Sequence, residues 1–230
     1  MAVSASGYLP VIVVDDGSTD GGAETIPVSP RIRIIRHPEN RGKGAALLTG
    51  FAEAAASGYR LAVTMDADGQ HDPSDIPALA EAGRRKNGPR MALGRRRGME
   101  KRSAGARGIP WTSRFGREFS NFWVRASGGP AVSDTQTGFR VYPLPEILRL
   151  DIRARRYQFE VEAPVKAARA GIPVSECPVG VVYDPPGGRV SHFHPFRDFM
   201  RNSTVFCRLI RERLYYPAPV LRRRAWKDAP

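Results

Sequence analysis

Apolar runs of strand length alternate with helical patterns along the first hundred residues. The strand-like runs lie at 11–14, 31–36, 61–65 and 91–94, and the helical patterns lie at 43–57 and 74–86. Regular alternation of the two periodicities is typical of βαβ units, whose strands form parallel sheets covered by helices. The pattern therefore predicts an α/β fold with a mostly parallel sheet and helices on both faces.

Beyond residue 95 the order of elements is less regular. An arginine- and glycine-rich stretch at 95–117 predicts a mobile basic loop, and a polar turn at 133–140 leads into a strand. Helices are predicted at 157–170 and 195–215, with a strand at 174–182 that is interrupted by a proline. Aromatic residues spaced by four form an apolar stripe, which favours core packing over contact with a lipid tail. The stripe consists of Trp111, Phe115, Phe119 and Trp123.

The run at 61–65 ends abruptly in the acidic turn DADGQHDP. Side chains alternate across a strand, so Asp66 and Asp68 point to the same side where the strand ends. Two such carboxylates repel each other, and a hard divalent cation that also binds diphosphate oxygens stabilises the pair. Carboxylate and amide oxygens suit Mg²⁺ or Mn²⁺ better than zinc. The alternative is a structural turn in which Asp72 or Ser74 caps the next helix.

A second acidic turn, DDGSTD, follows the run at 11–14. Ligands of open α/β sheets bind outside the carboxyl ends of the strands, so we expect both acidic turns to share one crevice. The sequence NRGKG then opens the helix at 43–57, but it lacks the full spacing of a phosphate-binding P-loop. Its glycines are expected to allow close packing of helix on sheet, with Arg41 or Lys43 available to a phosphate.

Charge narrows the class of partner. The chain of 230 residues is long enough for one sizeable core, and its net charge of +13 calls for an anionic partner. Nucleic acid, an anionic membrane surface and phosphorylated small molecules all fit that charge. A basic nucleic-acid-binding protein is the weaker alternative, because the acidic strand ends would repel a phosphate backbone.

Cysteine content and hydropathy predict the cellular location of the protein. Cys177 and Cys207 are the only cysteines, too few for a disulfide scaffold, and no apolar run is long enough to span a bilayer. We therefore expect a cytoplasmic protein that contacts a membrane surface only peripherally. One domain is expected at 1–216, followed by a basic tail at 217–230 that is disordered or membrane-seeking.

Taken together, the motifs resemble those of glycosyltransferase family 2, nucleotide-sugar enzymes with the GT-A fold. In chain order they read VIVVDDGSTDGG, NRGKGAALLTGF, MDADGQHDP, SDTQTGFRVYP, YQFEVE and VSHFHPFRDF. The DADGQ and SDTQTGFR forms are most similar to the branch that transfers sugars, including mannose, to dolichyl or polyprenyl phosphate. The family begins with a strand reading roughly I-P-A-Y-N-E, which residues 1–10 do not contain. The fold is therefore expected to lack that first strand.

The resemblance implies roles for particular residues. Nucleotide-binding residues of the donor pocket would be Asp15, Asp16, Gly17, Ser18 and Lys43. The ligands of Mg²⁺ or Mn²⁺ would be Asp66, Asp68 and Gln70. Donor and acceptor phosphates would be held by Arg114, Arg117, Arg189 and Ser191. Asp134 falls near the place where relatives with a hydroxyl acceptor have their catalytic base.

The resemblance also implies an activity, namely inverting, metal-dependent transfer of a sugar from a nucleoside-diphosphate sugar to a polyprenyl phosphate. Such an acceptor is already an anion and needs positioning rather than a strong base. If the acceptor were a saccharide hydroxyl instead, Asp134 would have to take its proton. A catalytically inactive family member is a further alternative, because the missing first strand forms part of the family's nucleotide pocket.

Overall fold

The computed structural model describes residues 1–84, 88–97, 111–181 and 195–227, with the side chains of 111–117 and 195–201 left out. The helices are α1 Ala2–Ser6, α2 Lys43–Ala56, α3 Ile76–Gly83, α4 Trp111–Ala126, α5 Glu146–Arg149, α6 Phe159–Arg169, α7 Pro195–Tyr215 and α8 Ala218–Arg224. The strands are β1 Val11–Asp15, β2 Ile32–Arg36, β3 Leu61–Thr64, β4 Met91–Arg96, β5 Arg140–Pro143 and β6 Val174–Val179. Short 3-10 helices lie at Gly22–Thr25 and Pro73–Asp75.

The strands form a parallel pair, β1–β2, and a mixed sheet of order β3-β5-β4-β6. In the mixed sheet β5 is antiparallel to both β3 and β4, whereas β6 is parallel to β4. Strands β3, β4 and β6 therefore point the same way, and β5 is the single reversed strand of that sheet. Pro178 lies in β6, which pairs only with β4, and an edge strand tolerates the missing amide donor.

Strand β1 of the parallel pair and strand β3 of the mixed sheet are both fully described, and no backbone hydrogen bond joins them. Residues 1–10 contain α1 and no strand. The two strands nevertheless share a core. Val11 of β1 packs in one apolar cluster with Leu61 and Val63 of β3 and with Ala5 of α1.

Helices cover both faces of the mixed sheet, as predicted. Successive residues of β5 show this, because Val141 packs towards α3 with Leu79, whereas Tyr142 packs towards α2 and α6. On the second face the rings of Phe51 and Tyr142 lie 4.8 Å apart, and the ring of Phe159 completes the cluster. A third cluster joins α4, α6 and α7 through Val124, Val161, Val165, Phe206 and Leu209.

Several elements differ from the sequence predictions. Arg95 and Arg96 belong to β4, and α4 begins at Trp111, so the expectation of one basic loop at 95–117 is wrong at both ends. Trp123 packs against Phe206 with 6.3 Å between ring centroids, which confirms core packing for this residue of the stripe.

The start of the predicted tail is folded. Residues 218–224 form α8, Ala225 is buried, and Trp226 pairs with Leu150 beside the main core. The expectation of disorder is therefore wrong for 217–227, because apolar side chains just beyond the arginines bind the segment to the core. Within the ranges that the structure covers, no helix is long and apolar enough to cross a membrane.

Candidate active site

The amino end of α2 joins the two acidic turns. The backbone amides of Arg41 and Gly42 donate to the two carboxylate oxygens of Asp16, at 2.9 and 2.7 Å. The next residue, Lys43, extends its Nζ to within 2.6 Å of Asp66 Oδ1. Consecutive residues therefore reach the ends of β1 and β3, which confirms that both acidic turns lie at one edge of the fold.

The glycines of the NRGKG sequence lie where another segment of the chain approaches the backbone closely. Gly42 has a φ of 98°, and a Cβ there would lie 2.6 Å from the carbonyl oxygen of Arg155. A Cβ on Gly44 would lie 2.7 Å from Cβ of Phe159. Both glycines allow α2 to pack against residues 155–159, which lead into α6, so close packing is present as expected but its partner is this segment and not the sheet.

Lys43 is shared between two carboxylates of different elements. Its Nζ lies 2.6 Å from Asp66 and 2.8 Å from Glu160 of α6. Burial alone would raise the pKa of Asp66, but the charge and hydrogen bond of Lys43 outweigh it and hold that pKa below its usual value. Burial likewise opposes the charge of Lys43, yet the two carboxylates raise its pKa above the ordinary lysine value. The cluster is thus a stable charged triad in which two negative groups face one cation.

The proposed metal ligands follow in the turn after β3. The backbone amide of Gln70 donates to Asp68 Oδ1 at 3.0 Å, and Gly69 has a φ of 78° that permits this tight turn. In the described part of the chain, no three His, Cys, Asp or Glu side chains are arranged as a metal site. The oxygens of Asp66, Asp68 and Gln70 are of the type that a hard cation prefers, and in this structure Lys43 occupies Asp66 Oδ1.

The carboxylates of the first acidic turn accept hydrogen bonds from neighbouring residues of the protein. Asp15 accepts from the backbone amide of Ser18 at 2.9 Å and from Arg36 Nε at 2.7 Å. The hydrogen bonds from Ser18, followed by Arg36, lower the pKa of Asp15. A Cβ on Gly17 would lie 2.7 Å from the backbone nitrogen of Asn40, so this turn packs tightly on the segment before α2. Asp15, Asp16, Gly17 and Ser18 therefore sit beside Lys43 at one edge.

Asp134 lies in a buried ion pair that the sequence did not reveal. Both of its carboxylate oxygens accept from Arg96 of β4, at 2.7 and 2.9 Å, and only 1% of Asp134 is exposed. Its backbone amide and that of Ser133 donate to Glu176 Oε1 of β6. The turn at 133–140 is thus tied to two neighbouring strands.

A buried arginine fixes the rest of that turn. Arg140 is fully buried and donates to the carbonyl oxygens of Thr137, Glu160 and Thr135, at 2.6, 2.7 and 2.9 Å. A Cβ on Gly138 would lie 2.5 Å from Cγ of Asp66, so the turn packs directly on the acidic end of β3. The carboxylate of Asp66 therefore has the turn on one side and Lys43 on the other.

The remaining predicted site residues are not placed by the structure. Arg114 and Arg117 lie on α4, whose side chains are not described before residue 118, and Arg189 and Ser191 lie outside the described residues. Sequence reasoning missed Glu160, Arg96 and Arg140. The available signal for Glu160 was a carboxylate in the otherwise apolar YQFEVE segment, whereas no local pattern distinguishes Arg96 from the arginines around it.

The architecture has counterparts among solved structures. Glucosyl-3-phosphoglycerate synthase from Mycobacterium tuberculosis, in complex with Mn²⁺, uridine diphosphate and glucosyl-3-phosphoglycerate, superposes with a TM-score of 0.57. The match covers 90% of this chain and 69% of that one, at 19% sequence identity. At that identity the likeness concerns the fold, which is of the GT-A type.

Sequence comparisons identify the family. An undecaprenyl-phosphate mannosyltransferase of Micrococcus luteus is 30% identical, over 75% of this chain and 71% of that protein. A polyprenol monophosphomannose synthase of Mycolicibacterium smegmatis is 31% identical, over 74% of this chain and 65% of that protein. The family model of Glycosyl transferase family 2 matches residues 7–147, more than half of the chain. The protein therefore belongs to Glycosyl transferase family 2 and is a glycosyltransferase with a GT-A fold.

Proposed function

We propose that the protein transfers a sugar, with inversion, from a nucleoside-diphosphate sugar to a polyprenyl phosphate. The observation that carries the choice of acceptor is the bidentate pair between Arg96 and Asp134. A base must be reached by the hydroxyl that it deprotonates, whereas Asp134 is only 1% exposed and both of its oxygens already accept from a permanently charged guanidinium. A phosphate acceptor is an anion already, and it needs no such base.

The two relatives described above support this choice of acceptor class. Their names state mannosyl transfer to undecaprenyl phosphate and synthesis of polyprenol monophosphomannose. Each is aligned over about three quarters of this chain. We accordingly propose a peripheral encounter with a membrane surface, where an acceptor with a long apolar tail resides.

The donor would occupy the edge where both acidic turns meet. Asp66, Asp68 and Gln70 would hold Mg²⁺ or Mn²⁺, and the bound ion would offset the charge that develops on the leaving diphosphate. The ammonium of Lys43 keeps Asp66 ionised, and Lys43 is itself held by Glu160. Asp15, Asp16, Gly17 and Ser18 would line the nucleotide side of the crevice, where Asp16 fixes the amino end of α2.

The acceptor would be positioned rather than activated. Arginine binds phosphate oxygens through paired donors and stays charged at every working pH. We assign that role to Arg114, Arg117 and Arg189, with Ser191 as a further donor. These residues hold donor and acceptor phosphates in register, and the phosphate oxygen attacks C1 of the sugar as the bond to the diphosphate breaks.

Acceptor competition tests the proposal. Purified protein with Mn²⁺ or Mg²⁺ is given radiolabelled GDP- or UDP-sugars and either a polyprenyl phosphate, the matching polyprenol, or a saccharide. We expect label in the lipid phosphate only, with no transfer in excess chelator. Transfer to the polyprenol or the saccharide, or undiminished transfer with chelator present, would contradict the proposal.

A further inference from the structure

The carboxyl end of α7 presents apolar surface beside a positive charge. Arg211, Leu214 and Tyr215 are spaced i, i+3 and i+4, so they share one face of the helix. Leu214 is 79% exposed and Tyr215 is 76% exposed, values that are unusual for side chains of their size. The guanidinium of Arg211 is exposed on the same face.

Helix α8 repeats this arrangement immediately afterwards. Val220, Arg223 and Arg224 have the same i, i+3 and i+4 spacing, and all three are exposed. The guanidinium of Arg224 lies 4.3 Å from the ring centroid of Tyr216, in the connection between the two helices. That cation–π contact holds α8 beside the end of α7, so the two faces adjoin.

Two neighbouring cavities connect these faces. One of about 210 Å³ is lined by Arg211 and Tyr215, among others, and one of about 540 Å³ by Val220, Arg223 and Lys227. Both are also lined by Arg153 and Arg224, which makes the surface continuous. We call this surface the C-terminal face, and it comprises Arg153, Arg211, Leu214, Tyr215, Val220, Arg223, Arg224 and Lys227.

Most of the positive charge of the C-terminal face is not neutralised internally. Arg153 pairs with Asp151 at 3.2 Å, and Glu212, the other carboxylate that lines the two cavities, pairs with Arg169 at 2.7 Å. Among residues with described side chains, no carboxylate lies within salt-bridge distance of Arg211 or Arg223. The face therefore needs anions from outside the chain.

From this combination we infer that the C-terminal face docks on the headgroups of an anionic phospholipid bilayer. Tyr215 could stack on a base, but aliphatic Leu214 and Val220 cannot, and they fit the apolar boundary beneath lipid headgroups. Two copies of this basic face would repel each other. The inference deepens the proposed function, because it identifies the surface through which the enzyme reaches a lipid-borne acceptor.

Vesicle binding tests the inference without any catalytic step. The full chain is sedimented with vesicles of phosphatidylcholine alone or of an equimolar mixture with phosphatidylglycerol, at low and high salt. We expect salt-sensitive binding to the anionic vesicles only, and Arg211→Gln/Arg223→Gln should weaken it by about 30-fold. Leu214→Ser/Tyr215→Ser should weaken binding without any change of charge.

The matched control removes the same charge elsewhere. Arg31 and Arg60 are exposed residues that immediately precede β2 and β3, and Arg31→Gln/Arg60→Gln should leave vesicle binding almost unchanged. Equal binding to neutral vesicles, an equal loss in the control, binding to RNA in place of vesicles, or self-association through this face would each overturn the inference.

Two acceptors separate this inference from the proposed activity. A short, water-soluble isoprenyl phosphate should be glycosylated equally well by the wild type and by Arg211→Gln/Arg223→Gln. A long-chain acceptor in anionic vesicles should be glycosylated at least tenfold more slowly by the variant. If neither acceptor is used, the proposed function fails, and the vesicle sedimentation still decides whether the face binds membranes.

Discussion

Arg96 holds both carboxylate oxygens of Asp134, with donor–acceptor distances of 2.7 and 2.9 Å. The pair joins the end of β4 to the turn before β5, and Asp134 is buried. The guanidinium engages both carboxylate oxygens, and burial keeps an acceptor hydroxyl away from them. The geometry makes Asp134 a residue that fixes the turn beside Asp66.

We therefore expect Asp134→Asn to affect stability more than turnover. The substitution removes the buried carboxylate that faces the part-buried guanidinium of Arg96, and the free energy of unfolding should fall by about 3 kcal/mol. Turnover with a polyprenyl phosphate, corrected for the folded fraction, should stay within about tenfold of the wild type, since loss of a true base costs roughly 100-fold or more. Urea unfolding and steady-state kinetics below the melting temperature measure the two effects.

Glu176→Gln is the matched control for Asp134→Asn. It weakens the acceptor of the Ser133 and Asp134 amides, so it loosens the same turn while both Asp134 oxygens remain with Arg96. If Asp134→Asn abolished turnover while Glu176→Gln did not, with both variants folded, Asp134 would be a base and the acceptor a hydroxyl.

Removal of Lys43 should make the stability of the protein depend on metal. In Lys43→Met, Asp66 and Glu160 face each other without a cation, and the free energy of unfolding should fall by about 2 kcal/mol in chelator. Added Mn²⁺ should restore much of that loss, because a divalent ion supplies the missing charge at Asp66. Thermal melts of the wild type and the variant, with and without Mn²⁺, measure this difference.

Lys43→Arg keeps the positive charge and serves as the control for Lys43→Met. Its melting temperature in chelator should lie close to that of the wild type. A Lys43→Met protein whose melting temperature is unchanged by chelator and by Mn²⁺ alike would mean that Asp66 is not part of a metal site.

The sequence carries much of this fold because its periodicities are local. Strand β3 and helix α7 lie where the apolar patterns place them, and the acidic turns mark the ends of β1 and β3. The exact end of β4 was not predictable. Arg95 and Arg96 look like the start of a charged loop, but they extend the parallel ladder with β6 through its partners Pro178 and Val179.

The site could be predicted only where its chemistry is local in sequence. Asp66, Asp68 and Gln70 follow one another in a single turn, so the sequence alone suggests them as metal ligands, and that role stays a prediction. The partners of Lys43 and Asp134 lie far away in the chain, at Glu160 and Arg96, and only the tertiary fold brings them together. Long-range pairs of this kind leave no periodic signal in one sequence.

Asp15 should contribute to the acid sensitivity of the fold. The hydrogen bonds from Ser18, and then Arg36, lower its pKa in the folded state below the reference value of 3.8. A lowered carboxylate pKa gives stability that is present above the unfolded value and is lost as the pH falls through the folded value. We expect Asp15→Asn to cost about 1–2 kcal/mol near neutral pH, with the difference from wild type shrinking below about pH 4.

Urea unfolding across the acid range measures this effect of Asp15→Asn. Glu81→Gln is the control, because Glu81 of α3 forms an exposed ion pair with Arg84, the residue that follows the helix. Its loss should change the free energy of unfolding little at any pH. A difference between Asp15→Asn and the wild type that stays constant into strong acid would show that the loss does not come from the carboxylate charge.

Gly138→Ala should damage the acidic site through steric overlap alone. Gly138 does not have a positive φ, but its added Cβ would lie 2.5 Å from Cγ of Asp66 and would push that carboxylate away from Lys43. We expect a loss of about 1–3 kcal/mol in unfolding free energy, together with Mn²⁺ affinity lowered at least tenfold in titration calorimetry. Gly50→Ala is the control, since the added Cβ would meet only Val14 of β1, at 3.4 Å. Gly50 lies inside α2, where alanine stabilises a helix by roughly 0.5–1 kcal/mol relative to glycine. Unchanged Mn²⁺ affinity in a folded Gly138→Ala protein would show that the metal does not depend on the position of Asp66.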